Sequence, residues 1–439
     1  MGERTTPVIP VARDAILSLA ARLDEPAWLR EARLAAWDLL GSLPPPSPTD
    51  EEWRRTDPGI LSLDGLHLGG PEPSGPLPAA LEDVLGRWPS PAAVLVYRNS
   101  RLVRADLSPD LAARGVVAAD LSAAAHAHAD LVRRWLMTEA VRPQEGYVTA
   151  LHAAARTGGP ALVVPDGVEV AEPVLVATWI DGDRLALAPH LLVVAGRGSR
   201  VTVMAATGSG AGEWAALALP VAEVILGDGA QVRLVTLHVA GPHVREVGIL
   251  RAVLGRDSTL HTLQAALGGR VLKMRVESIL AGPGASAEML GVVFGDDGQH
   301  VDIRTLQEHR APHTLSDLLF KNAVRDRAHS IFSGLIRVHY GAQKTNAFQA
   351  NRNLILSEGA KADSIPNLEI MANDLRCTHG SATSRLSEDH LFYLMSRGLT
   401  RSQAVRMVVE GFFAEVLDRV PLAPVRDLLA ERIGAKMAT

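Results

Sequence analysis

The chain has 439 residues and a formal net charge of −5, and 21% of its residues are charged. This is the composition of a soluble globular protein, although the length exceeds what one compact core usually holds, and the slightly acidic balance argues against a nucleic-acid-binding protein. The sequence contains one cysteine, which excludes an internal disulfide, so we expect a reducing, cytoplasmic location.

The first 150 residues predict a helical domain that includes a proline-rich linker and a short α/β segment. The stretch "VARDAILSLAARL" and the stretch from Pro26 to Gly41 carry apolar residues at helical spacing. The segment "PPPSPTDEEWRRTDPG" follows, and its prolines predict an extended linker. Further along, "AAVLVYRN" predicts a strand and "DLVRRWLMTEAV" predicts a helix.

Residues 151–383 predict a parallel β-helix core. From about Gly159 the chain consists of short, apolar, β-branched runs separated by glycine or aspartate turns. Gly229 follows Gly198 by 31 residues, and Asp257 follows Gly229 by 28. Repeats of this length are typical of solenoids, and the lack of intervening helices argues against alternating strands and helices. We expect two or three strands of about five residues in each repeat, and a β-sandwich remains the alternative.

Residues 384–439 predict a second helical domain. Ser387 is a candidate N-cap for the helix in "SEDHLFYLMSRGL", and Thr400 with Gln403 forms a capping box for the next helix. Apolar residues cover much of that second helix, which predicts core packing, with an exposed docking face as the alternative.

Several common motifs are missing from the sequence. In "GAQKTN", only two residues separate Gly341 from Lys344, which fails the spacing of a phosphate-binding loop. Neither a dinucleotide-binding glycine pattern nor the spacing of a common zinc site occurs. Asp14 interrupts the first apolar run, so we expect no signal peptide, and no apolar run is long enough to predict a transmembrane helix.

A carbohydrate-active β-helix enzyme is one alternative, because such an enzyme uses paired carboxylates as acid and base. Aromatic residues make up only 4% of the chain, whereas a sugar-binding groove usually needs aromatic platforms. Turn formation is therefore the favoured role of the acidic residues in this sequence that could form such a pair. The candidate carboxylates are Asp296, Asp297, Asp302, Asp363, Glu369 and Asp374.

Cys377 and His379 are the candidate site residues. They lie two positions apart in a polar stretch near the end of the strand region, so in an extended chain both side chains point to the same face. A thiolate and an imidazole make part of a soft metal site, but iron–sulfur clusters and zinc usually take four ligands. A second chain would have to supply the rest. The alternative is that both residues only pack.

Two stretches of the sequence resemble a known family. The stretch from Lys344 to Leu417 contains "CTHG", then "LFYLMSRG", then an apolar helix ending in "EVL". Together with "PTDEEWRRTDP" near the N-terminus, it resembles the SufB/SufD family of iron–sulfur cluster assembly proteins. SufB-type chains carry additional cysteines and an acidic residue beside the histidine. Here Gly380 follows the histidine, which disfavours the SufB branch.

The resemblance implies a right-handed parallel β-helix between N-terminal and C-terminal helical domains. It also implies a non-catalytic scaffold that pairs with a SufB-like paralogue through its last strands and docks SufC, an ABC-type ATPase, on its C-terminal helices. A transient iron–sulfur cluster would form at the interface with SufB, where Cys377 and His379 match the family's Cys-x-His and His379 is the better candidate ligand. A flavin as a further cofactor, a homodimer of the isolated chain and a purely structural interaction protein stay open. No nucleic-acid or membrane partner is expected.

Overall fold

The recurring turn residues of the sequence lie at one corner of a parallel β-solenoid. The computed structural model describes residues 11–73, 75–210 and 215–438. Within it, Gly198 and Asp257 adopt φ angles of 63° and 52°, a left-handed conformation that glycine adopts freely and aspartate tolerates. Each of these residues connects a strand of one sheet to a strand of the other. The predicted turns and their near-regular spacing are therefore confirmed.

Helices and short strands precede the solenoid. They are α1 (Arg13–Arg22), α2 (Ala27–Leu40), β1 (His67–Leu68), α3 (Ala79–Gly86), β2 (Ala93–Arg98), β3 (Arg101–Leu107), α4 (Pro109–Ala113), β4 (Val117–Asp120), α5 (Leu121–Ala127), α6 (Ala129–Trp135) and α7 (Tyr147–Ala155). Residues 1–10, for which the sequence predicts no signal peptide, lie outside the described residues.

The solenoid strands follow in an unbroken series. They are β5 (Pro160–Val164), β6 (Val174–Ile180), β7 (Leu185–Leu187), β8 (His190–Ala195), β9 (Arg200–Ser209), β10 (Ala216–Ala218), β11 (Val221–Leu226), β12 (Gln231–Val239), β13 (Val244–Leu254), β14 (Thr259–Ala266), β15 (Val271–Leu280), β16 (Ser286–Gly295), β17 (His300–His309), β18 (Leu315–Val324), β19 (His329–Val338), β20 (Asn346–Ile355), β21 (Lys361–Ile370) and β22 (Arg376–Arg385).

These strands form two sheets, and from β11 onward successive strands alternate between them. The main path of one sheet runs β21-β19-β17-β15-β13-β11-β8-β5-β4, with β1, β7 and β10 beside it. The other runs β22-β20-β18-β16-β14-β12-β9-β6-β2-β3. Strand pairing is parallel throughout the coils, and among the described residues only β4 with β5 and β2 with β3 pair antiparallel.

The strands are longer than the sequence predicts. Each coil from β12 onward contributes two strands, most of them ten residues long, rather than two or three of about five. The apolar runs look short because polar residues interrupt them without ending the strand. Arg251 lies inside β13, for example, where it is buried and pairs with Glu277 of the neighbouring strand.

Helices α8 (Glu388–Ser396), α9 (Arg401–Leu417) and α10 (Ala423–Ala438) follow the last strand. The predicted caps are confirmed. The Ser387 hydroxyl accepts from the His390 N–H at the start of α8, and Thr400 and Gln403 form the capping box of α9.

A mainly β fold with a parallel solenoid core is thus confirmed. The right-handed turn of the solenoid and the division into domains at residues 150 and 383 stay predictions. In the part of the chain described, no helix is long and apolar enough to cross a membrane.

Apolar residues fill the solenoid and also cover its outer faces. The interior cluster contains Val203, Leu234 and Leu318. A second cluster joins α2, α5 and α7 to one sheet, and a third joins α9 and α10 to the other through residues such as Phe413 and Leu319. The broad apolar face of α9 therefore serves mainly as core, as predicted.

The predicted proline-rich linker is docked rather than free. Trp53 is buried, and Lys273 of β15 donates to the backbone carbonyl of Glu52 at 2.8 Å. The same ammonium donates to Asp302 of β17 at 2.6 Å, and Thr56 donates to that carboxylate at 2.7 Å. The segment thus supplies hydrogen-bond partners to a buried ion pair on the solenoid. The sequence did not reveal this contact, because its partners lie more than 200 residues away.

A second buried polar chain fastens the N-terminal helices to the solenoid. His152 Nδ1 donates to the carbonyl of Leu219 at 2.7 Å, since a carbonyl can only accept. His152 Nε2 therefore accepts from His190 Nδ1 at 3.0 Å, and His190 Nε2 faces the carboxyl of Glu223 at 3.1 Å. His190 Nε2 itself makes no hydrogen bond among the described residues. Burial also raises the pKa of Glu223 to about 8, so the carboxyl is protonated at neutral pH.

This arrangement predicts a pH dependence of stability. The folded-state pKa of Glu223 lies above its unfolded value, so the stabilisation is complete at low pH and is lost as pH rises through about 8. Relative to a Glu223→Gln variant, whose amide imitates the protonated acid, the free energy of unfolding of the natural chain should fall by about 1.4 kcal/mol per pH unit between pH 5 and 7.5. Urea unfolding of both proteins measures this difference. Parallel pH profiles would contradict it.

Candidate functional site at the open end of the solenoid

The last two strands leave the solenoid open at its C-terminal end. Strands β21 and β22 each stand at the end of their sheet, so one side of each backbone has no neighbouring strand among the described residues. Their side chains are intermediate or exposed, whereas most inward side chains of β20 are buried. We call this surface the open end. Unpaired strand edges of this length are templates for pairing with another chain.

Cys377 is half-buried at the open end. It packs against a small apolar cluster that includes Ile336, Val338 and Ala347. Burial raises the pKa of its thiol, which keeps the sulfur protonated at neutral pH. Because the thiolate is the form that binds metal, Cys377 is a poor ligand in the isolated chain.

His379 is exposed and lies on the same side of β22 as Cys377. The parallel register places Cys377 beside Ala347 and His379 beside Gln349, and both of these β20 residues point into the solenoid. The structure thus brings the two predicted site residues together. Within residues 11–73, 75–210 and 215–438, no group of three or more His, Cys, Asp or Glu residues could hold a metal ion.

Exposed apolar side chains surround this pair. Leu368 and Ile370 lie on β21, Met371 follows it, and each of the three is at least 38% exposed. Tyr340, after β19, is 83% exposed. These residues were not predicted as part of the site. The signal was present in "NLEIM", where apolar residues alternate in an otherwise polar stretch.

The C-terminal helices carry a second exposed apolar surface. Phe392 and Tyr393 of α8 are 74% and 57% exposed, and Met407 of α9 is 49% exposed. The Arg397 guanidinium lies 5.3 Å from the Tyr393 ring centroid and donates to its hydroxyl at 3.2 Å. The exposed aromatic residues are therefore on α8, whereas the sequence drew attention to α9.

The carboxylates considered for sugar chemistry take part in ion pairs. Asp302 is buried against Lys273, and Asp296 contacts Lys436 at 2.7 Å. The remaining pairs within this set are Asp363 with His329, Glu369 with Arg337 and Asp374 with Lys344. Asp297 lies in a turn with a φ of 55°, as its place beside glycine predicts. Each of these acidic residues thus has a structural role, in an ion pair or in a turn.

Comparison with known proteins identifies the family. A family model described as "SUF system FeS cluster assembly, SufBD core domain" matches residues 178–412, more than half of the chain. SufD of Bacillus subtilis is 30% identical over 98% of this chain and 98% of its own length. The chain belongs to the SufB/SufD family of iron–sulfur cluster assembly proteins.

Membership of the SufB/SufD family confirms the resemblance seen in the sequence. SufB of Bacillus subtilis is 24% identical over 94% of this chain and 90% of its own length, a lower identity than that of SufD from the same organism. A SufBD family protein of Mycobacterium leprae is 40% identical over 42% of this chain and 48% of its own length. The greater similarity to SufD agrees with the single cysteine and with Gly380.

Proposed function

We propose that this chain is a non-catalytic, cytoplasmic scaffold subunit of a SUF complex. It pairs with a SufB-like paralogue at the open end and docks a SufC-type ABC ATPase on its C-terminal helices. An iron–sulfur cluster forms as cargo at the interface between the two paralogues. The observation that carries this proposal is that the family's Cys-x-His motif lies at the same end of the solenoid as two unpaired strand edges.

The open end has the features of a pairing surface. A paralogue with the same fold presents equivalent strand edges, and joining them satisfies backbone groups on both sides. Leu368, Ile370 and Met371 supply apolar area that such a partner would cover. When the paralogue is absent, we expect two copies of this chain to pair through the same edges.

The two candidate ligands, His379 and Cys377, suit a cluster shared with a partner better than a cluster held by this chain alone. His379 offers an exposed imidazole, and the Cys377 thiol contributes once an approaching cation lowers its pKa. Two donors do not complete an iron–sulfur site. The partner therefore supplies the remaining ligands, which restricts cluster formation to the assembled complex.

Phe392 and Tyr393 form the proposed ATPase-docking surface. Both rings stand in solvent on a helix that is tied to α9 by the ion pair of Glu388 with Arg401 at 2.7 Å. Exposed aromatic residues held on a rigid helix are typical anchors of protein interfaces.

Two single substitutions test the two surfaces against each other. Ile370→Lys should weaken pairing with the SufB-like chain by at least about tenfold while leaving ATPase docking intact, because it places a charge in an apolar contact. Phe392→Lys should do the reverse. Surface plasmon resonance with each purified partner gives both affinities. The assignment fails if either variant loses both partners while still folded, or loses neither.

A purely structural role for Cys377 and His379 is the second candidate. The packing of Cys377 against Val338 and Ala347 favours it for the cysteine. It predicts that Cys377→Ser combined with His379→Ala leaves cluster assembly intact. Loss of assembly in this double variant, with both partners still bound, would exclude it.

A further inference from the structure

One inward-facing row of side chains ends in two polar residues at the open end. The parallel register aligns Leu318 of β18 with Gln349 of β20, and Gln349 with His379 of β22. Deeper in the solenoid the same row holds Leu234, Thr262 and Met289, and Thr262 is likewise polar and buried. Gln349 is therefore the last buried residue beneath the exposed imidazole.

The Gln349 side chain is buried without a hydrogen-bond partner. It is 1% exposed, and neither its amide oxygen nor its amide nitrogen has a partner among the described residues. Leaving such a group unpaired costs free energy, so an unpaired buried amide needs an explanation.

A glycine on the opposite sheet makes room for this amide. A Cβ atom added to Gly334 of β19 would lie only 2.4 Å from Oε1 of Gln349 and 2.5 Å from its Nε2. The amide thus spans the interior and rests on the Gly334 backbone. A larger residue at position 334 would displace it.

Another row on these strands forms a continuous polar ladder, although Asn322 Oδ1 in it is also without a partner among the described residues. Asn322 donates to Asn353 at 2.8 Å, and Asn353 donates to Thr383 of β22 at 3.1 Å. That ladder runs from the interior to the last strand through hydrogen bonds. In the row of Gln349, the hydrogen bond to the next residue, His379, is not made.

We propose that Gln349 is a positioning residue for His379. Its amide oxygen accepts the N–H of one imidazole nitrogen through one water, so that the other nitrogen keeps its lone pair toward the open end. The group behind a ligating histidine commonly fixes its tautomer in this way. This inference rests on the proposed role of His379 as a ligand, although the positioning itself is a property of the free chain.

The test is nitrogen-15 NMR of the full chain with labelled histidine, in which His379→Gln identifies the signal. In the natural chain, His379 should strongly favour one tautomer. Gln349→Met fills the same volume without an acceptor, and it should shift the tautomer ratio by about fivefold, the factor that one net hydrogen bond contributes. Gln349→Glu keeps the acceptor and should preserve the ratio.

Gln264→Met is the matched control. Gln264 of β14 is also buried inside the solenoid with an unpaired Nε2, but it lies coils away from His379, whose signal should not change. Gly334→Ala provides an independent variant, because its methyl group displaces the Gln349 amide and should move the His379 signal in the same direction as Gln349→Met.

An unchanged His379 tautomer in both Gln349→Met and Gly334→Ala would overturn the proposal. Its failure is distinguishable from failure of the proposed function. The tautomer is measured without partners or iron, whereas the role of His379 as a ligand is judged from iron retention by the complex.

Discussion

Replacing His379 by alanine should lower the affinity of the assembled complex for its iron by at least about 100-fold, because even groups one shell behind a ligand contribute 10- to 100-fold. His379 is exposed on the last strand, so its loss should leave the fold and ATPase docking intact. Because it lies on the pairing surface, binding of the paralogue is measured alongside. Iron and acid-labile sulfide in the purified complex are the measured quantities.

His390→Ala is the matched control for this experiment. His390 is also an exposed histidine, but it lies on α8 rather than on the last strand. Cys377→Ser should have a smaller effect than His379→Ala, since burial raises the thiol pKa and opposes the thiolate. Natural iron content in the His379→Ala complex would remove the imidazole from the list of ligands.

The second large effect is expected at the docked N-terminal segment. Asp302→Ala leaves the buried ammonium of Lys273 without its carboxylate, and breaking such a pair costs about 3 to 5 kcal/mol. The expected result is a loss of this size in the free energy of unfolding in urea. The segment around Trp53 should also detach, and trypsin should then cleave at Arg54 and Arg55 under native conditions.

Asp363→Ala controls for the removal of a carboxylate from the same row of the sheet. Its side chain is 46% exposed and pairs with His329 at 3.0 Å and with Arg55 of the docked segment at 3.8 Å, so its loss should cost at most about 1 kcal/mol. Replacing both partners, as Lys273→Met with Asp302→Leu, should recover much of the stability. Equal losses in Asp302→Ala and Asp363→Ala would show that burial of the Lys273 pair contributes little.

The solenoid could be predicted from the sequence because its turns have local causes. A turn with a positive φ angle recurs once in each coil, and it is occupied by Gly198, Gly229 and Asp257 in successive coils. Ser387 and Thr400 likewise cap helices through contacts only three residues away. Signals of this kind do not depend on distant parts of the chain.

Features that depend on distant contacts were missed. Strand length was underestimated because charged residues such as Arg251 interrupt the apolar runs. The strand continues through Arg251 because Glu277 and Glu145 pair with it. The segment near Trp53 was predicted only as an extended linker, because nothing nearby in sequence indicates its contacts with Lys273 and Asp302. The buried Gln349 was overlooked since its meaning follows only from the register with His379.

The candidate site was predicted in part. The spacing of Cys377 and His379 indicated a shared face, and the strand β22 shows it. The sequence could not show that the thiol is half-buried while the imidazole is exposed, because this difference depends on β22 being the last strand of its sheet. The apolar residues Leu368 and Ile370 are exposed for the equivalent reason on β21.

The most direct test of the central claim is anaerobic affinity purification of this chain from its own cells in the presence of ATP. The account predicts that a SufB-like paralogue and an ABC-type ATPase copurify with it, together with iron and acid-labile sulfide. Ile370→Lys should lose the paralogue and the iron while keeping the ATPase. Recovery of the chain alone and free of metal would contradict the proposed scaffold role.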